Sequence, residues 1–287
     1  MTALAEILEP DFLLRNALLA TVLMGLVCPI VGAWFVLRRM IFLGVALPQL
    51  SAAGISFAFL VTSVLGFHTH GEPAERLLAT AGSLGFALLG MAALAALERR
   101  GSEMLEARIG IAYAFAASAG ILFAAADPHG ESEVAGLLRG DVVGVSDTGM
   151  FWLTVTLVAV AAAALFLRRE LLLVSFDREM AIVLGKRVAW WDAVLYLLIG
   201  ATISVCVMTA GPLLTFGLLV LPPLTARLLT RRMLAFSLAA SALGGLSAFL
   251  GFYLAYRFDL PLGPTAVMTG LVLLAITTAA SWGRSRS

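Results

Sequence analysis

Charge is scarce in this sequence. Only 13% of its 287 residues are Asp, Glu, Lys or Arg, against 61% hydrophobic, and its mean hydropathy is +1.00. A soluble domain carries about 25% charged and 45–50% apolar residues, so too little charge is present to cover this much oil. That excludes a water-soluble enzyme and a disordered chain, and the net charge of +1 excludes a basic nucleic-acid-binding surface. Cysteine is equally sparse: Cys28 and Cys206 stand far apart in sequence, each inside an apolar run, which excludes a disulfide framework and zinc-finger spacing. The sequence contains no His-Glu-x-x-His pair, no Gly-x-Ser-x-Gly elbow and no phosphate-binding loop. The chain cannot hydrolyse ATP through a P-loop of its own.

What is present is a series of long apolar runs. A helix crossing about 30 Å of hydrocarbon needs about 20 largely apolar residues. Reading between charged clusters predicts spans at 16–37, 43–66, 77–97, 107–125, 150–167, 190–209, 212–229, 234–256 and 263–282. The expected architecture is therefore all-α, a single polytopic bundle over 1–287. Nine helices are expected, with eight as the alternative, because the sixth and seventh adjoin at Gly211-Pro212 and form either a hairpin or one broken element.

Basic residues discriminate between these counts. With nine spans, Arg38 and Arg39, Arg99, Arg100 and Arg108, the five between Arg168 and Arg187, Arg227 to Arg232, and Arg284 and Arg286 share one side. Only Arg15, Arg76, Arg139 and Arg257 fall on the other. The positive-inside rule then puts the N-terminus outside and the C-terminus in the cytoplasm. The opening MTALAEILEPDF has no basic residue before Arg15, so the first run is expected to be a retained span rather than a cleaved signal.

Carboxylates lie almost wholly between the spans, which disfavours a proton-coupled secondary transporter or an intramembrane enzyme. Asp192, near the start of the sixth span, is the exception and is expected at the cytoplasmic interface. Small residues spaced four apart, Ser241 with Gly245 and Ser247 with Gly251, allow close helix approach, either within one subunit or between two. On the cytoplasmic side, 177–187 reads as a short amphipathic helix, with Asp177, Arg178, Glu179, Lys186 and Arg187 around Met180, Ala181, Val183 and Leu184. Gly185 is placed to end it. Such a helix suits a partner's groove or the bilayer surface.

Several stretches, in order, carry a resemblance: LRRM at 37–40 leading to Gly44 and Ala46-Leu47, Ile109-Gly110-Ile111, LLRGDVVGVSD at 137–147, Phe176-Asp177 with Ala181 and Gly185, Gly211 with Leu214, Pro222 and Ala226, and Asp259, Pro261 and Gly263. Over most of its length the chain resembles the permease subunits of the metal-uptake ABC transporter family, importers of zinc, manganese or iron. The resemblance implies a multi-pass protein of the bacterial inner membrane, in contact with its lipids, working as a homodimer by alternating access. It also implies an ABC ATPase subunit that binds ATP and docks on the 177–187 coupling helix through Asp177, Ala181 and Gly185, and an external solute-binding protein. A divalent metal would be the substrate, with no cofactor held in this chain and no nucleic acid as partner.

The second span departs from that family. Where such importers carry Asp and His four residues apart, this chain has Val45 and Gln49. Val45, Gln49 and Ser56 share one helical face and are the expected lining of the translocation path. Val offers no ligand, and an amide is a weak, neutral one, so a metal chelate or another small solute is the alternative substrate, and a secondary transporter or a non-transporting scaffold the alternative class. Other candidate metal ligands are His68 and His70, and Asp127 and His129 in an acidic external loop, although loop residues of these types are more often simply solvated.

Overall fold

The computed structural model describes residues 12, 14–38, 40–64, 72–98, 105–127, 142–230 and 232–284. Among the described residues the α-helices are α1 (Arg15–Leu37), α2 (Leu43–Val64), α3 (Glu72–Glu98), α4 (Leu105–Ala126), α5 (Asp147–Phe166), α6 (Arg168–Phe176), α7 (Arg178–Val183), α8 (Val188–Leu229), α9 (Met233–Phe258) and α10 (Leu262–Arg284). Among the described residues there is no strand, and eight helices are long and apolar enough to cross a membrane. The expected spans coincide with these helices to within a few residues at most ends. Uniformly apolar helices need a setting in which every backbone group is satisfied internally. Buried hydroxyls follow the same constraint: Thr21, Thr202, Thr215 and Thr225 each donate to the carbonyl four residues back.

The longest helix resolves the question of the sixth and seventh spans. Gly211, at φ 73° and ψ 171°, is non-helical inside α8, in a backbone region that is essentially restricted to glycine. Asp192 and Arg227, near the two ends of α8, both reach the C-terminal end of α1. Asp192 bonds Arg38 at 2.9 Å, and Arg227 donates to the Val36 carbonyl at 3.5 Å. Midway along α1, Cys28 instead faces Cys206. The chain therefore rises along α1, turns at Gly211-Pro212 and returns, giving arms of roughly 35 Å and 27 Å at 1.5 Å per residue. α8 is a helical hairpin.

α1 forms the centre of the bundle, with 72% of its apolar stretch buried against 22% for α4, α5 and α10. Glycine permits its approach to its neighbours. A methyl group on Gly32 would collide with the Leu219 carbonyl on the second arm of α8, and one on Gly25 with Gly244 and Ala248 of α9. The small residues of α9 are thus used inside the subunit: Gly245 meets Leu26, and Ser241 donates to the Leu26 carbonyl at 2.7 Å. At the opposite end of α1, Asn16 donates to Asp147 at 2.7 Å and Phe12 packs edge-on against Tyr256. One end of the bundle accordingly gathers Arg38, Arg168, Arg178, Lys186 and Arg227 around the ends of α1, α5, α6 and α8.

Candidate coupling elbow and transport path

α6 and α7 make an elbow at that arginine-rich end. Asp177 separates them at φ −135° and ψ 81°, and its Oδ1 accepts from the Met180 backbone N–H at 2.8 Å, so it caps α7. The six-residue α7 ends on Gly185 at φ 72°. The Lys186 N–H returns to the Ala181 carbonyl and the Gly185 N–H to that of Ile182, both at 2.9 Å. That pair of bonds is the Schellman arrangement, and the left-handed residue it needs is most cheaply a glycine. The expected 177–187 helix is thus shorter than its segment, closed by a side-chain cap at one end and a backbone cap at the other.

Ala181 points inward, completely buried with Val174 and Val188 against Leu173 and Trp191. The outward face is apolar: Phe176 is 63% exposed, Ile182 61% and Val183 80%, beside half-exposed Met180 and Leu184. Charged neighbours Glu179 and Arg187 are also exposed. Lys186 pairs with Glu170 at 3.0 Å, tying the far side of the elbow to α6. The elbow therefore presents a projecting, rigidly capped apolar tip. Of the three residues singled out in sequence, Asp177 and Gly185 shape it and Ala181 seats it.

The path residues divide differently. Val45 and Gln49 lie one turn apart on α2 and remain half-buried, while Ser56 is buried and donates to the Ala52 carbonyl. Pro48 inside α2 leaves the Gly44 carbonyl without an intrahelical donor. Behind this face, Ser51 meets Ser83 of α3. The open face of α2 thus offers an amide and a backbone carbonyl and no carboxylate. His68, His70 and His129 lie outside the described residues. Asp127 is described and is 7% exposed at the end of α4. Among the described residues no three His, Cys, Asp or Glu side chains converge as a metal site.

Two associations were invisible in sequence. Cys28 and Cys206 are both buried, with their sulfurs 3.4 Å apart as free thiols. Arg38, the first arginine of LRRM, meets Asp192 across 154 positions of sequence. The isolated carboxylate at the start of a span was the one signal that could have pointed to a partner.

The chain is similar to known transport proteins along nearly its whole length. It is 25% identical over 278 residues to the manganese import system permease protein ScaB of Streptococcus parasanguinis, covering 96% of this chain and 94% of that one. It is 27% identical over 281 residues to the manganese transport system membrane protein MntC of Listeria monocytogenes, covering 96% and 93%. Its fold matches the solved structure of PsaBC from Streptococcus pneumoniae in complex with Fab, at a TM-score of 0.81 and 23% identity, over 96% and 95% of the two chains. The model of the ABC 3 transport family matches residues 11–281. With that match spanning almost every residue, this chain belongs to the ABC 3 transport family.

Proposed function

We propose that the chain is the membrane-spanning subunit of an ATP-driven importer of a divalent transition metal, with manganese the first candidate. The observation that carries this reading is the capped apolar elbow at the arginine-rich end. A monomer has no use for a rigid tip that leaves Val183 80% exposed, and an ATP-hydrolysing subunit needs such a knob to grip. Whole-length likeness to manganese permeases supports the substrate class. In this reading the arginine-rich end is cytoplasmic and the N-terminus external, two copies enclose the path, and a solute-binding protein delivers the metal from outside. Two ATPase subunits engage the elbows and rock the copies between inward- and outward-open states.

The α2 face favours a second reading of the substrate. Val45 and Gln49 cannot strip and hold a bare divalent ion as a carboxylate and an imidazole would. A hydrated ion passed on quickly, or a chelate whose own donors fill the metal's shell, fits a neutral lining better. Both readings are tested in proteoliposomes holding the full complex, by ATP-dependent uptake of free manganese against manganese supplied as a chelate. Uptake of the free ion supports the first reading, uptake of the chelate alone the second. Failure of any ATPase subunit to co-purify overturns both.

A further inference from the structure

The elbow is fastened to the bundle by one buried carboxylate. Asp192 sits one turn into the first arm of α8 with its side chain 10% exposed. Its Oδ1 accepts from Arg38 Nη2 at 2.9 Å, and its Oδ2 from Arg178 Nη2 at 3.1 Å. Arg38 is itself only 12% exposed, and its Nε donates to Ser175 Oγ at 3.0 Å. One carboxylate and one guanidinium therefore join four pieces of chain: the end of α1, the end of α6, the first residue of α7 and the first arm of α8.

The two halves of this clamp differ in exposure. Arg38–Asp192 is shielded from water, where a charge is retained only if paired and where breaking the pair leaves an uncompensated ion. Arg178 is 57% exposed, and a solvent-facing partner exchanges readily with water. Apolar contacts between elbow and bundle, such as Val174 and Ala181 with Val188, are non-directional and slide at little cost. Charge-assisted hydrogen bonds have one preferred geometry and resist shear. The Lys186–Glu170 pair is partly exposed and joins only parts of the elbow, so it fixes the shape of the elbow and not its attachment.

We propose that Asp192 is the positioning residue through which movement of the elbow reaches the transmembrane helices, with Arg38–Asp192 as the fixed anchor and Arg178 as a releasable strap. This rests on the elbow being the ATPase docking site. The two helices that Asp192 and Arg38 join are those that meet again at Cys28 and Cys206, in the centre of the bundle. A push on the elbow is therefore delivered to the central pair rather than spent on peripheral helices.

The test uses the full complex in proteoliposomes, reading metal taken up per ATP hydrolysed, together with retention of the ATPase subunit and a cross-link formed through Val183→Cys. Asp192→Asn keeps the shape and removes the charge. It is expected to retain the ATPase subunit and the cross-link while uptake per ATP falls about tenfold. The charge swap, Arg38→Asp with Asp192→Arg, is expected to recover at least a third of the lost coupling, which a purely space-filling role would not produce. Unchanged uptake per ATP in Asp192→Asn, or a folded swap no better than the single variant, overturns the proposal. Where neither folds, Ser175→Ala decides, since it removes only the acceptor of Arg38 Nε. A twofold to threefold loss of coupling supports the anchor and no loss overturns it. If the complex carrying Val183→Cys alone does not cross-link to the ATPase subunit, the docking reading itself is wrong, a result separable from intact docking with unaltered coupling.

Discussion

The hairpin of α8 and the elbow of α6 and α7 are neighbours in sequence and are held by opposite means. Along their length the hairpin arms are fixed by backbone lying almost on backbone, as where Gly32 of α1 meets Leu219, and ionic contacts are confined to their feet at Asp192 and Arg227. The elbow is fixed by caps and ion pairs, and it leaves its apolar side chains uncovered. In hydrocarbon there is no hydrophobic force between helices, so close packing has to supply cohesion. At the water boundary directional polar bonds can supply it instead. The first region should fail by losing the fold, the second by losing communication with a partner.

The largest expected effect lies in the hairpin. Gly32→Leu forces side-chain carbons into the Leu219 carbonyl, and the cost should reach about 3 kcal/mol or more. Thermal unfolding in detergent should show a collapse of the folded fraction, and an unchanged midpoint would mean that α1 and α8 are not in backbone contact. Gly211→Ala follows, because φ 73° with ψ 171° is closed to a side chain. It should cost about 1–3 kcal/mol and lower the same midpoint.

The elbow should respond in another way. Gly185→Val places a branched residue at φ 72°, a local cost of about 1–2 kcal/mol, but every side chain of α7 except Ala181 is exposed. The purified subunit should keep its unfolding midpoint while retention of the ATPase subunit drops severalfold. A fall in both together would erase the distinction between the two regions. The smallest effect belongs to the buried thiols. Cys206→Ala removes one sulfur and should cost about 1 kcal/mol, while in the unaltered chain a two-electron thiol oxidant such as diamide should link Cys28 to Cys206, seen as the loss of two free thiols by mass spectrometry.

The sequence made some of this readable and hid the rest for definite reasons. Spans were legible because so long an apolar run, almost free of charge, is stable only where hydrocarbon surrounds it. Gly185 and Gly211 were legible because few residues besides glycine tolerate their backbone angles. The 177–187 segment reads in sequence as one amphipathic helix, whereas a side-chain cap and a glycine confine α7 to 178–183 and a separate α6 precedes it. Periodicity alone does not register a break made by Asp177. The shared face of Val45 and Gln49 followed from helical spacing, but the burial of Ser56 depends on what packs against the far end of α2. The pairings Arg38–Asp192 and Cys28–Cys206 join residues more than 150 positions apart, and no local rule connects them.

The turn at Gly211 also bears on how this protein enters its membrane. Both ends of the 42-residue α8 finish at the same boundary, so Asp192 and Arg227 need never be carried across hydrocarbon. From Ala193 to Ala226 the segment contains no ionisable side chain other than Tyr196 and Cys206, and this uncharged tip is the part that must cross. The two arms can thus insert together as a preformed pin. No loop has to be translocated between them, because the far boundary receives only the Gly211-Pro212 turn.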